Sequence, residues 1–304
     1  MKIWAISDLH TEYPSNLTWI ENLSPTAYQS DAIIVAGDIS DRLAKVEETL
    51  ELFKERWAHV FFCVGNHELW CRPGEDQVTN SVDKVAAVHD LCHSLGVHYK
   101  PKQLDGVWIV PLISWYHAAF DTEPDVPKAQ DISQSMADFR KCKWPEGLQQ
   151  EEVAGYMDKM NDEPLSQIAA QLEGSDLPVI TFSHFVPRQD LLPEKRMLFQ
   201  PNLAKAVGSN FLEPRIRKLR PVAHVFGHTH FLWDAEIDGV RYCQAPLAYP
   251  RERQHRSAGQ DWLPLMLYDT ATGPSSPKSA HWSDYYKHAK REPSNVTPAP
   301  WVKL

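Results

Sequence analysis

The sequence predicts an α/β protein in which two mixed β-sheets pack face to face as a sandwich and helices flank them. Three observations lead there. Five short apolar runs each stop abruptly at a polar residue, segments of helical period lie between several of them, and after His230 the pattern changes to strands joined by a tight turn. The chain has 304 residues, 43% of them hydrophobic and 23% charged, which is ample material for a sizeable core.

The five runs occupy residues 3–6, 32–36, 60–64, 179–182 and 223–226, and they stop at Ser7-Asp8, Gly37-Asp38, Gly65-Asn66, Ser183-His184 and Gly227-His228. Unbroken apolar runs of this length suit strands buried on both faces, and residues 42–57 and 82–95 have the period of the helices that would cover them. In open α/β sheets, functional groups gather at the carboxyl ends of strands, which is where these polar clusters fall. Residues 233–237, 240–245 and 263–268 read as strands, the first two joined by the hairpin turn Asp238-Gly239. Together with 107–113 they suggest a second, partly antiparallel sheet packed on the first. Residues 1–270 are read as one domain, with an insertion at 117–174 that ends in a helix over 151–172. Insertions between core strands serve as lids, as substrate-selecting elements or as plain decoration. The tail 271–304, rich in Pro, Ser and Lys, is expected to be loosely packed.

A net charge of −9 with no long run of Lys or Arg argues against duplex nucleic acid as the main partner and favours a small phosphorylated or otherwise anionic substrate. Five widely spaced cysteines without a Cys-x-x-Cys indicate neither a disulfide framework nor a zinc knuckle, so a reducing compartment is the simpler reading. Residues 2–8 read as a strand ending in a functional turn, so no signal peptide is expected, and no apolar run reaches membrane-spanning length. The expected location is cytoplasmic; Val302-Lys303-Leu304 only half matches a Ser-Lys-Leu peroxisomal address.

The strand ends carry the chemistry. Asp8-x-His10 offers an oxygen and a nitrogen ligand in one loop. Asp38 repeats the strand-end carboxylate, its two oxygens allow it to bridge two cations, and Gly37 lets the backbone turn closely beneath it. Gly65-Asn66-His67-Glu68 adds an amide oxygen beside an imidazole, and His184, His228 and His230 add three more imidazoles. Such a mixture suits Mn, Fe, Zn or Co better than calcium. Taken singly, these residues are ordinary helix caps, turns or solvated histidines. Five such clusters at five strand ends, with complementary donors, are not explained that way.

The ordered series Asp8-x-His10, Gly37-Asp38-x-x-Asp41, Gly65-Asn66-His67-Glu68, His184 and Gly227-His228-x-His230, spanning roughly residues 1–246, resembles the calcineurin-like metallophosphoesterase superfamily. The resemblance implies a β-sandwich flanked by helices, with Asp8, His10, Asp38 and His230 on one divalent metal and Asp38, Asn66, His184 and His228 on the other. It implies hydrolysis of a phosphomonoester or phosphodiester by a metal-activated hydroxide, manganese being one candidate metal. His67 adjoins ligand Asn66 without being needed as a ligand, and so is free to stabilise the transition-state charge or protonate the leaving group. A neighbouring carboxylate commonly supports this histidine; Asp41 is the candidate, with a helix N-cap as its alternative role. Val64 replaces the arginine that the protein serine/threonine phosphatase branch carries before this motif, which weakens a protein phosphatase reading. Arg188, just after His184, is the candidate phosphate reader, with a solvated surface cation as its alternative. A non-catalytic scaffold and a nuclease are the competing functions. The complete ligand set and His67 speak against the first, and the absence of a basic run against the second.

Overall fold

In the computed structural model, residues 1–74, 78–254 and 263–304 are described. Eleven strands are present among them: β1 (Lys2–Ile6), β2 (Ala32–Ala36), β3 (His59–Cys63), β4 (Lys102–Leu104), β5 (Val107–Pro111), β6 (Val179–Phe182), β7 (Ala223–Phe226), β8 (Trp233–Ile237), β9 (Val240–Gln244), β10 (Leu265–Asp269) and β11 (Gly273–Pro274). They form a five-stranded sheet in the order β11-β10-β1-β2-β3 and a six-stranded sheet in the order β4-β5-β6-β7-β9-β8. β1, β2 and β3 are parallel, as are β5, β6, β7 and β9, whereas β10, β11, β4 and β8 join antiparallel.

Strand alternation divides the core. Ile3, Ala5, Ala32, Ile34 and Phe61 from one sheet meet Ile109, Ile180, Phe182, Val225 and Cys243 from the other, forming the layer between the sheets. The alternate residues Ile33, Val35, Val60 and Phe62 face outward onto helices α1 (Pro14–Glu21), α2 (Leu43–Arg56) and α3 (Ser81–Leu95), which supply Ile20, Leu50, Phe53 and Val85. Both faces of β2, β3, β6 and β7 are covered, which is why those runs carry no polar alternation. Asp238 and Gly239 both take positive φ, 49° and 78°, as the two-residue turn between β8 and β9 requires.

The sandwich stands as expected, but the strands are distributed differently. The five ligand-bearing strands are shared, β1 to β3 in one sheet and β6 and β7 in the other, and β10 pairs with β1 instead of joining the second sheet. Doubly buried strands carry no face pattern that assigns them to a sheet. The insertion contains the short helices α4 (Ile132–Ser135) and α5 (Asp138–Lys141), then α6 (Val153–Lys159) and α7 (Asp162–Leu172) where a single helix over 151–172 was expected. Pro164 cannot sit inside a continuous helix, because its ring clashes with the preceding turn, and Asn161 at the break bonds Ile113 N and O instead. α8 (Leu212–Leu219) precedes β7, α9 (Pro250–Gln254) follows Tyr249, and α10 (His281–His288) lies in the tail.

The tail is bound more firmly than its composition implied. Trp282 and Tyr286 pack on the outer face of β8 and β9, Trp301 Nε1 donates to Met197 O at 2.9 Å, and Ala299 N donates to Arg196 O at 2.8 Å. Ala280, Ala299 and Val302 are buried and Trp282 and Tyr286 are partly buried, contacts that the Pro and Ser content masks. All five cysteines are unpaired. No helix among the described residues is long and apolar enough to cross a membrane.

Candidate metal centre

Each candidate ligand stands just beyond a strand, so strand register decides which of them meet. Ile6 lies opposite Val35, and Ala36 opposite Cys63, which sets Asp8, Asp38 and Asn66 side by side. Phe182 opposite Val225 does the same for His184 and His228. The two sheets are stitched together here: Ser7 N donates to Ala245 O at 3.0 Å, and Leu247 N to Ser7 O at 2.8 Å. The ligand loops of both sheets therefore open onto one space.

The loops reach that space through strained backbone. Asp8, His10, Asp38, His228 and His230 all adopt left-handed φ, from 46° to 75°, a region that costs residues bearing a side chain and concentrates at functional sites. Close packing adds a second demand. A Cβ on Gly65 would collide with Asp38 Oδ1 and lie 2.8 Å from His184 Cε1, so only glycine lets this loop pass beneath the ligands.

Ligand atoms of Asp8, His10, Asp38 and His230 lie within 4.8 Å of one another, as do those of Asp38, His184 and His228. Asp38 belongs to both groups. In the first, His10 Nε2 faces His230 Nε2 at 2.9 Å, and His230 Nε2 is 3.5 Å from Asp8 Oδ1. In the second, Asn66 Oδ1 lies 3.1 Å from His184 Nε2 and 2.9 Å from His228 Nδ1, and His184 Nε2 is 3.4 Å from Asp38 Oδ2. All seven candidate ligands are brought together.

The electrostatics fit a cation. Burial holds His10 well below its ordinary pKa and drives His228 down to about 3, leaving their ring nitrogens as neutral donors. At His184 burial works the same way, but Asp38 and Asp8 outweigh it and raise the imidazole to about 9; Asp8 and Glu252 likewise raise His230. Burial raises Asp8, and it also opposes charge on Asp38, yet His184 and His67 hold that carboxyl well below its usual range. Two carboxylates, an amide oxygen and four imidazoles thus converge with protons where divalent cations would serve, the donor set expected of Mn, Fe, Zn or Co.

His67 sits beside this cluster, 6% exposed. Its ring lies between those of His10 and Trp70, with centroids 4.6 and 3.7 Å away. Its Nε2 is 3.9 Å from Asp38 Oδ2 and 3.5 Å from the Tyr249 hydroxyl. Burial lowers His67 to about 4, against the attraction of Asp38. Glu12 Oε1 faces its Nδ1 at 3.8 Å and lies 3.5 Å from His10 Nδ1. Asp41 does not cap α2. Its carboxylate accepts from Arg72 Nη1 at 2.6 Å, and α2 starts after Arg42 with no side-chain cap. Asp41 does help to favour a charged His67 at longer range.

Arg188 is not part of the centre. Its guanidinium is bidentate to Asp190, at 2.9 and 2.8 Å, and bonds Glu213 at 3.0 Å and Asp238 at 3.1 Å. Three carboxylates claim it because α8 and the β8–β9 turn bring them beside the loop after β6.

Residues without an expected role hold the ligands in place. Buried Glu68 accepts backbone N–H bonds from Asp38 at 3.0 Å, Ile39 at 2.6 Å, Ser40 at 3.2 Å and Gly65 at 2.6 Å, tying the second ligand loop to the third. Glu252 orients His230 through Nδ1 at 2.7 Å. Asp138, in the insertion, accepts from Asn66 Nδ2 at 2.9 Å. Glu68 was visible in the Gly-Asn-His-Glu series; Asp138 and Glu252 belong to no spacing pattern.

Comparison with known proteins agrees with this architecture. The family model for calcineurin-like phosphoesterases matches residues 1–232. The chain is 29% identical over 284 residues to the acyl-carrier-protein phosphodiesterase PptH of Mycobacterium tuberculosis, covering 90% of this chain and 85% of that protein. It is also similar to the crystal structure of phosphopantetheinyl hydrolase (PptH) from Mycobacterium tuberculosis, with a TM-score of 0.66 at 26% identity, over 84% of this chain and 93% of that one.

Proposed function

The chain belongs to the calcineurin-like phosphoesterase family and is a phosphoric ester hydrolase; from that premise we propose that it works at a dinuclear centre and cleaves the phosphodiester joining a phosphopantetheinyl group to an acyl carrier protein. The observation that carries the dinuclear reading is Asp38, whose carboxylate belongs to both groups of converging donors. Asp8, His10 and His230 would complete one position, and Asn66, His184 and His228 the other. Cations held there supply Lewis acidity toward phosphoryl oxygens and lower the pKa of water.

The remaining work falls to the chain. Asp38 and Asp8, buried and acceptor-only, fix the position of the charge that neutralises the phosphoryl group. Buried Trp70 and the His10 ring hold the His67 imidazole in one orientation. An anionic phosphodiester arriving beside His67 favours its imidazolium form, and that proton passes to the leaving alkoxide. The carrier then departs with a free hydroxyl, and water has added across the broken P–O bond.

The substrate reading rests on the 29% identity to PptH along nearly the whole chain. It replaces a small free phosphoester with a group bound to a protein, and gives the domain at 1–270 and its insertion at 117–174 a partner surface to recognise. The test incubates the protein with phosphopantetheinylated acyl carrier protein and Mn²⁺ and follows the carrier's intact mass. Loss of the phosphopantetheinyl group is the expected result. An unchanged carrier, under conditions where an aryl phosphodiester is cleaved, would overturn the substrate reading and leave the chemistry standing.

A further inference from the structure

Asn66 is a useful ligand only if its amide points the right way. Its Oδ1 faces His184 and His228, and its Nδ2 points into the protein. A primary amide can rotate half a turn, and from the ligand side either orientation fits the space; the partner on the far side must choose. That partner is Asp138, the first residue of α5, 2% exposed although it comes from the insertion. Its Oδ1 accepts Asn66 Nδ2 at 2.9 Å and Trp70 Nε1 at 2.6 Å. Burial pushes its carboxyl up, and the Asn66 and Trp70 bonds oppose that push. Asp138 Oδ1 is thus the atom through which this carboxyl meets both Asn66 and Trp70.

We propose that Asp138 is the positioning residue of the second cation position, locking the Asn66 amide with its oxygen toward His184 and His228. Asp138 Oδ1 meets Trp70 Nε1, a group that can only donate, so this oxygen is fixed as an acceptor. With the amide turned over, Asn66 Oδ1 would meet Asp138 oxygen, two acceptors facing each other in a dry interior. The insertion is therefore a structural part of the metal centre, and half of that centre depends on a four-residue helix outside the motif-bearing strand ends. The inference rests on the dinuclear reading above, since it concerns how one of the two positions is built.

The test is cation binding by the full chain, stripped with a chelator, titrated with Co²⁺ by visible absorption and checked by elemental analysis after desalting. The unsubstituted protein is expected to bind two cations; binding of fewer counts against the dinuclear reading itself. Asp138→Leu should keep one position at its original affinity and weaken the other by about 10–100-fold, the usual cost of losing a partner behind a ligand. Asp138→Asn retains an acceptor oxygen and should bind two cations as the unsubstituted protein does. Because Asp138 acts through Asn66, Asp138→Leu should add nothing in an Asn66→Ala background, whereas a general packing role would still show there. Two normal positions in Asp138→Leu, a lost position in Asp138→Asn, or an additive double variant would each overturn the proposal. If the leucine variant fails to fold by circular dichroism, Asp138→Ala takes its place, and the asparagine result decides independently.

Discussion

Two polar clusters in this protein are made of similar side chains and end differently. Around Arg188, the guanidinium meets Asp190, Glu213 and Asp238, Arg217 shares Glu213 at 2.6 Å, and the Tyr242 hydroxyl donates to the same carboxylate at 2.8 Å. Opposite charges face each other, and donors meet acceptors. Around Asp38, imidazole faces imidazole and an amide oxygen faces two ring nitrogens, while His10 Nδ1 and His67 Nδ1 are buried with Glu12 nearby but no hydrogen-bond partner among the described residues. Buried polar groups are ordinarily satisfied, so a cluster that closes on itself is architecture and one that does not close is waiting for something. Between these two clusters the difference coincides with the line between scaffold and candidate site.

The sharpest way to break the comparison is to remove the residue on which the open cluster turns. Asp38→Ala should lose both cations together and reduce turnover by about four orders of magnitude or more, since each cation contributes several kcal/mol to the transition state. Elemental analysis beside a phosphodiesterase assay checks it; retention of one cation would show that the two groups do not share this carboxylate. A smaller and cleaner effect is expected at His67. His67→Ala should lower kcat by about 10²–10⁴-fold with both cations retained, because it removes a proton donor and no ligand. Loss of metal in that variant would place His67 among the ligands instead.

How much of this was legible in the sequence follows from the same contrast. Asp8, His10, Asp38, Asn66, His184, His228 and His230 could be read because each follows an apolar run that ends abruptly, and strand ends are where a sheet delivers side chains to one place. The split of those strands between two sheets could not be read, since Ile33 and Ile34 are equally apolar whichever layer they enter. Nor could the left-handed backbone at the ligands, which the folded surroundings impose on Asp and His against their local preference. Asp138 was hidden because α5 is four residues long and has no period. Arg188 carries two readings in the sequence because proximity to His184 gives no information about direction, and here its side chain turns toward α8.

A second closed cluster gives a prediction of intermediate size. His224, fully buried on β7, bonds Thr181 Oγ1 through Nδ1 at 2.8 Å and Ser183 Oγ through Nε2 at 3.1 Å, while Ser183 donates to Phe185 O at 2.9 Å. Ser183 is therefore the acceptor from Nε2–H and Thr181 the donor to Nδ1, and the ring is complete when neutral. Burial drives it from an ordinary value of 6.5 down to about 3. A base whose folded pKa is depressed binds its proton more readily in the unfolded chain, so its contribution is fully present above 6.5 and is lost as pH falls toward 3. The loss runs at about 1.4 kcal/mol per pH unit. Urea unfolding at pH 6 and pH 4 should show the pH dependence of His224→Gln shallower by about one proton. Equal slopes would mean that the ring is not held neutral.

The smallest effect is expected at Arg188, and it tests the closed side of the comparison directly. Arg188→Met removes a cation that three carboxylates share, but the side chain is 20% exposed and solvent screens what is left, so the stability cost should be about 1 kcal/mol. Glu213 retains Arg217 and Tyr242, which keeps it from being stranded. Since the Arg188 guanidinium bonds Asp190, Glu213 and Asp238, none of them a candidate ligand, kcat/KM should stay within about twofold of the unsubstituted protein, a change of less than ~0.5 kcal/mol in transition-state binding. A loss of tenfold or more in kcat/KM at unchanged stability would return Arg188 to the substrate, because an arginine that serves architecture alone must show its removal in the unfolding curve before it shows it in turnover.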